Sequence, residues 1–433
     1  MRIVMIGTGY VGLVSGACFS DFGHHVCCVD KDAAKIAALL EGRIPIFEPG
    51  LDDLVARNVA AGRLEFTLDL AQALPGANAV FIAVGTPSRR GDGHADLSYV
   101  YAAAREMAPH LESGTVVVTK STVPVGTGDE VERIIREARP DLEFSVASNP
   151  EFLREGAAIE DFKRPDRVVI GVNDDRAREV LREIYRPLMN AEQPLLVMKR
   201  RAAELTKYAA NAFLATKIAF INEIADLSEK VGANVLEVAN GIGLDSRIGP
   251  RFLQPGPGYG GSCFPKDTLA LLKTGQDYES PLRIVEAVVA SNDQRKRSMG
   301  RKVINALGGQ AQGKAVAILG LTFKANTDDM RDSPALAIIQ SLQDAGAHVR
   351  AYDPEGMEQA AKMLEGVTYC NDPYEAMDGA AAAVIVTEWD AFKALDFDRM
   401  RKLLAEPLLV DLRNLYSLAD IRRHGFRYVA VGR

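Results

Sequence analysis

The residues best suited to chemistry in this sequence lie between positions 252 and 267, which read FLQPGPGYGGSCFPKD. Cys263, Lys266 and Asp267 bring a thiol, an ammonium and a carboxylate within five positions. They follow a segment rich in glycine and proline, whose bare backbone a ligand can approach closely. This pattern is typical of a ligand site, although a surface turn with a buried cysteine would also fit it.

A second set of polar residues lies on a long predicted helix from Arg201 to about Val231, which has no internal proline or glycine. Lys207 and Asn211 are one helical turn apart among small and apolar neighbours. Polar groups on a largely buried helix are costly unless they are paired or used, so both residues are candidates for a site. The alternative is that the lysine reaches solvent along the protein surface.

The beginning of the chain carries a dinucleotide-binding pattern. A short apolar strand, Arg2 to Ile6, enters a glycine-rich turn, and the next strand ends at Asp30. Backbone N–H groups at the start of the following helix favour phosphates, and an acid at this spacing binds the adenosine ribose. Asp30 would repel a 2′-phosphate, so the pattern predicts NAD rather than NADP. The residues of this turn are Gly7, Gly9, Tyr10, Val11 and Gly12.

Strands and helices then alternate, which predicts a doubly wound parallel sheet. Thr86 follows the predicted strand Ala79 to Val84, and Thr122 follows the predicted strand Thr115 to Thr119. Ligands bind at such carboxyl ends of strands, although either threonine could instead cap a helix.

Two carboxylates, Glu151 and Glu155, follow a further predicted strand from Phe144 to Ala147. They would share one face if this segment were helical. They could equally be the negative charges that stabilise the start of a helix.

The last part of the chain is predicted to be a second βα array without the glycine triplet. Its first strands are Lys314 to Gly320 and His348 to Tyr352. Such a domain can hold a nucleotide without being a second NAD site. Lys324, Arg331 and Arg413 lie near or after strand ends, and they are either phosphate partners or solvated surface charges.

The sequence as a whole predicts an α/β protein with two Rossmann-like doubly wound domains joined by a long central helix. With 433 residues, we expect an NAD-binding domain at 1–196, a helical dimerisation domain that carries the glycine-rich segment at 197–296, and a second Rossmann-like domain that could hold a nucleotide at 297–433. The apolar residues of the long helix cover more than one stripe, which predicts a homodimer or higher homo-oligomer.

Composition narrows the class of protein. The net charge is −7 and there is no long basic run, so neither nucleic acid nor a membrane is an expected partner. Five cysteines, without the paired spacing of a zinc site, indicate reduced thiols, a cytoplasmic location and no metal.

Six segments, in one order, carry a resemblance to a known family: GTGYVG, KSTVPVGT, NPEFLREG, ELTKYAANAFLATKIAFINEIA, FLQPGPGYGGSCFPKD and GLTFKANTDDMRDSP. Together they resemble the nucleotide-sugar 6-dehydrogenases, and within that family the enzymes that act on UDP-glucose. The resemblance covers nearly the whole chain. It implies that a sugar C6 alcohol is oxidised twice, to a carboxylate, while two molecules of NAD are reduced.

The resemblance also implies residue roles. Cys263 would be the nucleophile, with Lys207, Asn211 and Asp267 around the reacting carbon. Thr122, Glu151 and Glu155 would help to order water and cofactor. Further cofactor contacts would come from Asp30, Lys35, Thr86, Thr122, Glu155, Lys266 and Arg331. Substrate contacts would come from Phe152, Leu153, Arg154, Glu155, Lys207, Asn211, Phe252, Leu253, Gln254, Pro255, Gly256, Gly260, Lys324 and Arg413, and Arg247 would reach the substrate of a neighbouring subunit.

Two kinds of alternative remain open at this point. The substrate could be GDP-mannose or a UDP-N-acetylhexosamine, because the sequence alone proves neither the base nor the sugar. The protein could also be a scaffold that senses NAD without catalysis, although the joint presence of Cys263, Lys207, Asn211 and Asp267 disfavours this reading.

Overall fold

The structure, a computed structural model, describes residues 1–89, 93–189 and 195–433. These residues form two compact units. The first contains Met1–Ala210 and Leu269–Ser280, and the second contains Asn211–Thr268 and Pro281–Arg433. The three-part division predicted above stays a prediction.

The first unit is built on an eight-stranded sheet. Its strands are β1 Arg2–Ile6, β2 His25–Val29, β3 Leu64–Thr67, β4 Ala79–Ile82, β5 Val116–Thr119, β6 Ser145–Ser148, β7 Val168–Val172 and β8 Leu195–Met198. Its helices are α1 Tyr10–Asp21, α2 Ala33–Leu40, α3 Leu51–Ala60, α4 Leu70–Ala73, α5 Ser98–Met107, α6 Thr127–Ala138, α7 Ala158–Lys163, α8 Asp175–Ile184 and α9 Arg186–Met189, with a 3-10 turn at Ala108–His110.

Two long helices belong to both units: α10, Arg200–Val231, and α12, Phe264–Asp277. The other elements belong to the second unit. Its helices are α11 Val235–Gly243, α13 Arg283–Ala306, α14 Pro334–Asp344, α15 Met357–Ala361, α16 Pro373–Met377, α17 Asp390–Lys393, α18 Phe397–Leu403 and α19 Leu418–Arg423. Its strands are β9 Ala315–Leu319, β10 His348–Tyr352, β11 Val367–Tyr369, β12 Ala382–Ile385, β13 Leu408–Asp411 and β14 Arg427–Ala430.

The strand orders confirm the predicted doubly wound fold. The first sheet runs β3-β2-β1-β4-β5-β6-β7-β8, and the second runs β11-β10-β9-β12-β13-β14. All pairs in both sheets are parallel except β6 with β7. The order reverses between β1 and β4 and again between β9 and β12. Open sheets of this kind bind ligands outside the carboxyl ends of the strands at these reversals.

Alternate residues of β1 pack into different cores on the two faces of the first sheet. Ile3 and Met5 join one apolar cluster, and Val4 and Ile6 join the other. A parallel strand covered on both faces is apolar at every position, which explains why the short apolar runs in the sequence located the strands.

The long predicted helix is confirmed as α10, a continuous segment of 32 residues. The segment from Glu151 to Glu155 is different, because it has no helical structure and α7 begins only at Ala158. The helical face that these two carboxylates would have shared therefore does not form. Within the described ranges, no helix is both long and apolar enough to cross a membrane.

Candidate active site

The glycine-rich turn after β1 has the shape that a pyrophosphate requires. A Cβ atom at Gly12 would lie 1.9 Å from the carbonyl oxygen of Gly7, so only glycine allows α1 to pack this closely on the turn. A Cβ atom at Gly9 would meet no atom within 4 Å, and Gly9 also precedes the first residue of α1. The open space at Gly9 and the N–H groups of the first helical turn fit a bound dinucleotide phosphate.

Asp30 is held ready for a ribose. Its Oδ2 accepts hydrogen bonds of 2.7 Å from the backbone N–H and from the hydroxyl of Thr8, and its Oδ1 accepts one of 3.0 Å from the N–H of Asp32. Burial opposes ionisation of this carboxyl, but the hydrogen bonds and the charge of Lys35 outweigh it and lower the pKa of Asp30. The carboxylate is therefore an oriented anion at neutral pH.

The two threonines predicted at strand ends are brought together. Thr86 follows β4 and is buried, and its hydroxyl donates a hydrogen bond of 2.9 Å to the carbonyl oxygen of Thr122, which follows β5. Since β4 and β5 are neighbours in the sheet, this bond links two of the ligand-facing strand ends.

Glu151 and Lys207 form a buried ion pair. The Nζ atom of Lys207 lies 3.2 Å from Oε1 of Glu151, and the two side chains are 4% and 5% exposed. Burial favours the neutral form of Glu151, but the charge of Lys207 and a 2.5 Å hydrogen bond from the N–H of Leu153 outweigh it and lower the pKa of Glu151. The ammonium of Lys207 is therefore stabilised by a carboxylate of the same unit and not by solvent.

The loop from Phe152 to Gly156 is fixed by a carboxylate that the sequence analysis missed. Glu48, which is 6% exposed, accepts hydrogen bonds of 2.7 Å from the N–H groups of Gly156 and Ala158, and it also accepts one from the hydroxyl of Tyr10. Glu48 precedes Glu155 by more than a hundred residues, so no local pattern could connect them. It ties the loop to the first residue of α1.

Other side chains of this loop have their own partners. The guanidinium of Arg154 forms a two-pronged ion pair with Asp161, with a shortest distance of 2.6 Å. The ring of Phe152 lies near two cations: its centre is 3.6 Å from the guanidinium carbon of Arg167 and 5.2 Å from Nζ of Lys207.

In the second unit, Asp267 contacts a predicted catalytic residue, Asn211, and a predicted cofactor contact, Lys266. Its Oδ2 accepts a hydrogen bond of 2.6 Å from the side-chain amide of Asn211, and its Oδ1 lies 2.7 Å from Nζ of Lys266. Asp267 is 1% exposed. Asn211 follows Lys207 by one turn of α10.

Cys263 directly precedes α12, whose first residue is Phe264, and its carbonyl oxygen accepts the N–H of Asp267 at 2.8 Å. A thiol at a helix N-terminus is in the position that favours the thiolate. The sulfur lies 3.5 Å from the hydroxyl oxygen of Ser262. Among the five free cysteines, Cys263 is partly exposed and the others are buried.

The backbone of the glycine-rich segment before Cys263 packs closely against other residues of the second unit. A Cβ atom at Gly260 would lie 2.4 Å from the carbonyl oxygen of Asp332, and one at Gly256 would lie 3.3 Å from the guanidinium of Arg413. Phe252 has a φ of 64°, a left-handed conformation that is rare for an aromatic residue and is found disproportionately at functional sites. Leu253 and Pro255 are buried, whereas Gln254 is exposed.

Three side chains that the sequence analysis did not assign hold this segment. Asn222 of α10 accepts a hydrogen bond of 2.8 Å from the N–H of Gly256, and Arg295 of α13 donates one of 2.9 Å to the carbonyl oxygen of Gly256. Asn292 bonds both the N–H and the carbonyl of Tyr259, at 2.8 and 3.1 Å. Hydrogen bonds with residues distant in the sequence therefore fix the conformation of this glycine- and proline-rich segment.

The candidate phosphate partners of the second unit differ in their surroundings. Nζ of Lys324 lies 5.4 Å from the centre of the Phe323 ring, and Arg331 forms a two-pronged ion pair with Asp329. Arg413 donates to the carbonyl oxygens of Val386 and Phe323, at 2.8 and 2.9 Å. Two of the guanidinium nitrogens of Arg413 are thus already hydrogen-bonded to backbone carbonyl oxygens.

Asp353 of the second unit differs from Asp30 in its accessibility. It follows β10 as Asp30 follows β2, and each of these strands pairs with the first strand of its sheet. Asp353 is 0% exposed, and its Oδ2 accepts hydrogen bonds from the N–H groups of Leu321 and Thr322 and from the indole of Trp389. A carboxylate whose acceptor sites are filled in this way cannot bind a ribose.

Two further predicted site residues are Arg247, which is exposed, and Lys35, which is partly buried. Arg247 follows α11 with a side chain that is 87% exposed and paired with Asp245. Lys35 lies on α2 and contributes to the site through its charge near Asp30.

Sequence comparisons relate the chain to a known family. Models of three domains of one family match the chain: the NAD binding domain at residues 1–189, the central domain at 201–294 and the UDP binding domain at 317–418. The chain belongs to the UDP-glucose/GDP-mannose dehydrogenase family. The expectation of a dehydrogenase that uses NAD is thereby confirmed, and the dinucleotide turn and Asp30 fit that cofactor.

Curated relatives in this family match over the full chain. The UDP-glucose 6-dehydrogenase of Rhizobium meliloti is 68% identical over 100% of both chains. The UDP-glucose 6-dehydrogenase TuaD of Bacillus subtilis is 47% identical over 100% of this chain and 93% of its own.

Solved structures of the family share the fold. A UDP-glucose dehydrogenase from Pyrobaculum islandicum has a TM-score of 0.90 and 40% identity, covering 99% of this chain and 96% of its own. A UDP-D-ManNAc dehydrogenase from Pyrococcus horikoshii has a TM-score of 0.88 and 27% identity, covering 100% and 99%.

Proposed function

We propose that this member of the family oxidises UDP-glucose to UDP-glucuronate, and that Cys263 carries the intermediate. The observation that supports the substrate most strongly is the 68% identity, over the whole chain, to a UDP-glucose 6-dehydrogenase. The placement of Cys263 at the start of α12, with Asp267 one turn further on and paired with Asn211, supports the chemistry.

The protein groups divide the work as follows. NAD, when bound, accepts the hydride in each oxidation. Asp267, directly or through a water, accepts the proton of the C6 alcohol as the aldehyde forms. The thiolate of Cys263 then adds to the aldehyde carbon, which forms a C–S bond and keeps the aldehyde from escaping.

Loss of a second hydride from this thiohemiacetal gives a thioester. Water attacks the thioester, the C–S bond breaks, and the acid leaves while the thiolate is restored. Negative charge develops on the sugar oxygen at these stages, and the ammonium of Lys207 and the amide of Asn211 are the proposed donors to it. Removing one such donor typically costs about 3–4 kcal/mol of transition-state stabilisation.

The remaining predicted contacts complete the proposal. Thr86, Thr122, Glu155, Lys266 and Arg331 would bind the cofactor or order water. The nucleotide sugar would be bound by the backbone from Phe152 to Glu155, by the segment from Phe252 to Gly260, and by Lys324 and Arg413. The five free thiols support a cytoplasmic location, where such cysteines stay reduced.

A panel of nucleotide sugars tests the substrate. Purified protein with NAD is expected to form NADH fastest with UDP-glucose, and slowly or not at all with GDP-mannose and UDP-N-acetylhexosamines. A higher kcat/KM for either alternative would reassign the substrate, and no NADH with any sugar would support a scaffold without catalysis.

We expect Lys324→Ala to weaken binding of the nucleotide sugar while leaving binding of NAD unchanged. Loss of one charge-assisted hydrogen bond to a phosphate corresponds to an affinity lower by roughly tenfold to a hundredfold. Calorimetric titration with each ligand measures the effect. Lys393→Ala, which removes an exposed lysine of the same unit, serves as the control. Equal losses for both ligands would show that the roles of the two units are wrongly assigned.

We also propose a homodimer built on α10. Phe213, Phe220 and Leu227 recur every seven residues and are 67%, 50% and 54% exposed, so one face of the helix presents large apolar side chains to solvent. Such a stripe is stabilised by a second copy of the same surface. The proposal extends to Arg247, which would reach the substrate of the partner.

Sedimentation tests the dimer. The wild-type protein is expected to sediment as a dimer or larger oligomer at micromolar concentration, and Phe213→Lys with Phe220→Lys is expected to shift it to a monomer of low activity. Leu40→Lys replaces an equally exposed apolar residue outside α10 and should change nothing. A fully active wild-type monomer would contradict this proposal.

A further inference from the structure

A buried lysine with neutral hydrogen-bond partners lies beside the Glu151–Lys207 ion pair. Lys120 directly follows β5 and is 3% exposed. Its Nζ atom donates hydrogen bonds of 3.0 Å to the side-chain oxygen of Asn149 and 3.2 Å to the hydroxyl of Tyr185. Neither partner carries a charge, so neither neutralises the ammonium.

The charged and titratable groups that act on Lys120 come from three other parts of the first unit. Glu151 attracts its proton, Lys207 repels it, and the buried thiol of Cys18 has a small attractive effect. Both lysines in turn favour the ionised form of Glu151 and so lower its pKa. Two buried ammonium groups therefore act on one buried carboxylate.

Lys120 also holds, through Asn149, the backbone between the end of β6 and Glu151. Its partner Asn149 is two residues before Glu151, and the amide of Asn149 donates a hydrogen bond of 2.8 Å to the carbonyl oxygen of Val169. Tyr185 donates a further bond of 2.5 Å to the side-chain oxygen of Asn149. The ammonium is thus part of a closed hydrogen-bond cluster at the carboxyl end of β6.

We propose that Lys120 is a positioning residue for the reaction: through Asn149 it holds the backbone that leads to Glu151, and it places a second buried positive charge beside the Glu151–Lys207 pair. That charge would strengthen Lys207 as a donor to the oxyanions of the substrate, because electrostatic stabilisation is strongest in a preorganised, water-poor site. The inference rests on the proposed function, since it assigns Lys120 an effect on the same chemistry.

The free energy that is lost by burying the Lys120 ammonium distinguishes the proposed positioning role from a role in stabilising the fold. Burial lowers the pKa of Lys120 to about 8, even though Glu151 raises it. Between that value and the ordinary value of 10.5 the unfolded chain holds the proton more firmly, so the stability of the fold rises with pH over this range. At neutral pH the buried ammonium therefore lowers the free energy of unfolding. An apolar replacement should leave the melting temperature unchanged or raise it.

The test compares Lys120→Met, Lys120→Arg and Tyr185→Phe with the wild-type enzyme. The formation of NADH from UDP-glucose is followed from about pH 6 to about pH 9.5, with melting temperatures at neutral pH. Tyr185→Phe removes a hydrogen-bond partner but no charge. Lys163→Met is the matched control, because it removes a lysine of the same unit that pairs with Asp21.

We expect the kcat/KM of the wild type to fall above about pH 8, as Lys120 loses its proton. Lys120→Arg should keep its activity there, because a guanidinium stays charged. Below about pH 8, Lys120→Met should have a kcat at least roughly tenfold lower than the wild type, and the difference should narrow at higher pH. Its KM for NAD should be unchanged, and its melting temperature should be no lower than that of the wild type. Tyr185→Phe and Lys163→Met should keep the wild-type kcat and pH profile.

Several results would overturn the inference. These are a wild-type profile that stays flat to about pH 9.5, a Lys120→Met variant with wild-type kcat, or equal losses of activity in Tyr185→Phe and Lys120→Met. Should Lys120→Met fail to fold, the wild-type and Lys120→Arg profiles still decide. A wild type that forms no NADH from any nucleotide sugar removes the proposed function together with this inference, whereas an active wild type with a flat profile removes this inference alone.

Discussion

Cys263→Ser is expected to stop the reaction before the acid is formed, with at most about one NADH released per site, whereas the wild type yields two per sugar. The first oxidation needs only a base and a hydride acceptor, so Asp267 and Lys207 can still support it. The second needs an adduct from which a hydride can leave. A serine hydroxyl is a poor nucleophile near neutral pH, and its ester hydrolyses more slowly than a thioester.

The measurement is a single-turnover assay that counts NADH per active site and identifies the sugar product by mass. The variant should fold and bind NAD like the wild type, since Cys263 is partly exposed and lies at the end of a loop. It should accumulate aldehyde or a slowly cleared ester, while no free aldehyde is seen with the wild type.

The other cysteines supply the controls. Cys27 and Cys28 are buried in β2, and burial raises the pKa of Cys27 to about 11 and raises that of Cys28 further. Inert thiols of this kind pack as small apolar side chains. Cys27→Ser and Cys28→Ser should therefore keep two NADH per sugar, whatever they do to stability. Sustained formation of two NADH per sugar by Cys263→Ser would refute the assignment of the nucleophile.

The second large effect concerns the choice of cofactor. We expect kcat/KM with NAD to exceed that with NADP by roughly a hundredfold to a thousandfold, because a 2′-phosphate would replace the hydroxyl that Asp30 is proposed to bind. The carboxylate cannot turn away from the phosphate, since Thr8 and Asp32 hold both of its oxygens. Its lowered pKa keeps it charged at neutral pH, so protonation does not relieve the repulsion.

Asp30→Asn tests this explanation by removing the charge while keeping the size of the side chain. The preference for NAD should shrink, mainly through a poorer KM for NAD and a better KM for NADP. Asp32→Asn removes a neighbouring exposed carboxylate that caps α2, and it should leave the preference intact. Comparable efficiency with both cofactors in the wild type would show that Asp30 does not set the choice.

The sequence determined those features that depend on neighbouring residues. The apolar runs located the parallel strands, because a strand covered on both faces needs apolar side chains at every position. The absence of proline and glycine located α10 to within one residue, and the spacing of Gly7, Gly12 and Asp30 specified a dinucleotide turn. The segment that ends at Asp267 pointed to a site because its reactive groups are adjacent.

Only the tertiary structure decided what depends on distant partners. Glu48 holds the loop before α7, and Asn292 and Arg295 hold the glycine-rich segment, across separations that no local pattern records. Asp30 and Asp353 end equivalent strands, yet one carboxylate is partly accessible to a ligand and the other is fully enclosed by donors of its own unit. The difference arises because packing decides whether water, a ligand or the chain satisfies a carboxylate, and packing is a property of the folded molecule.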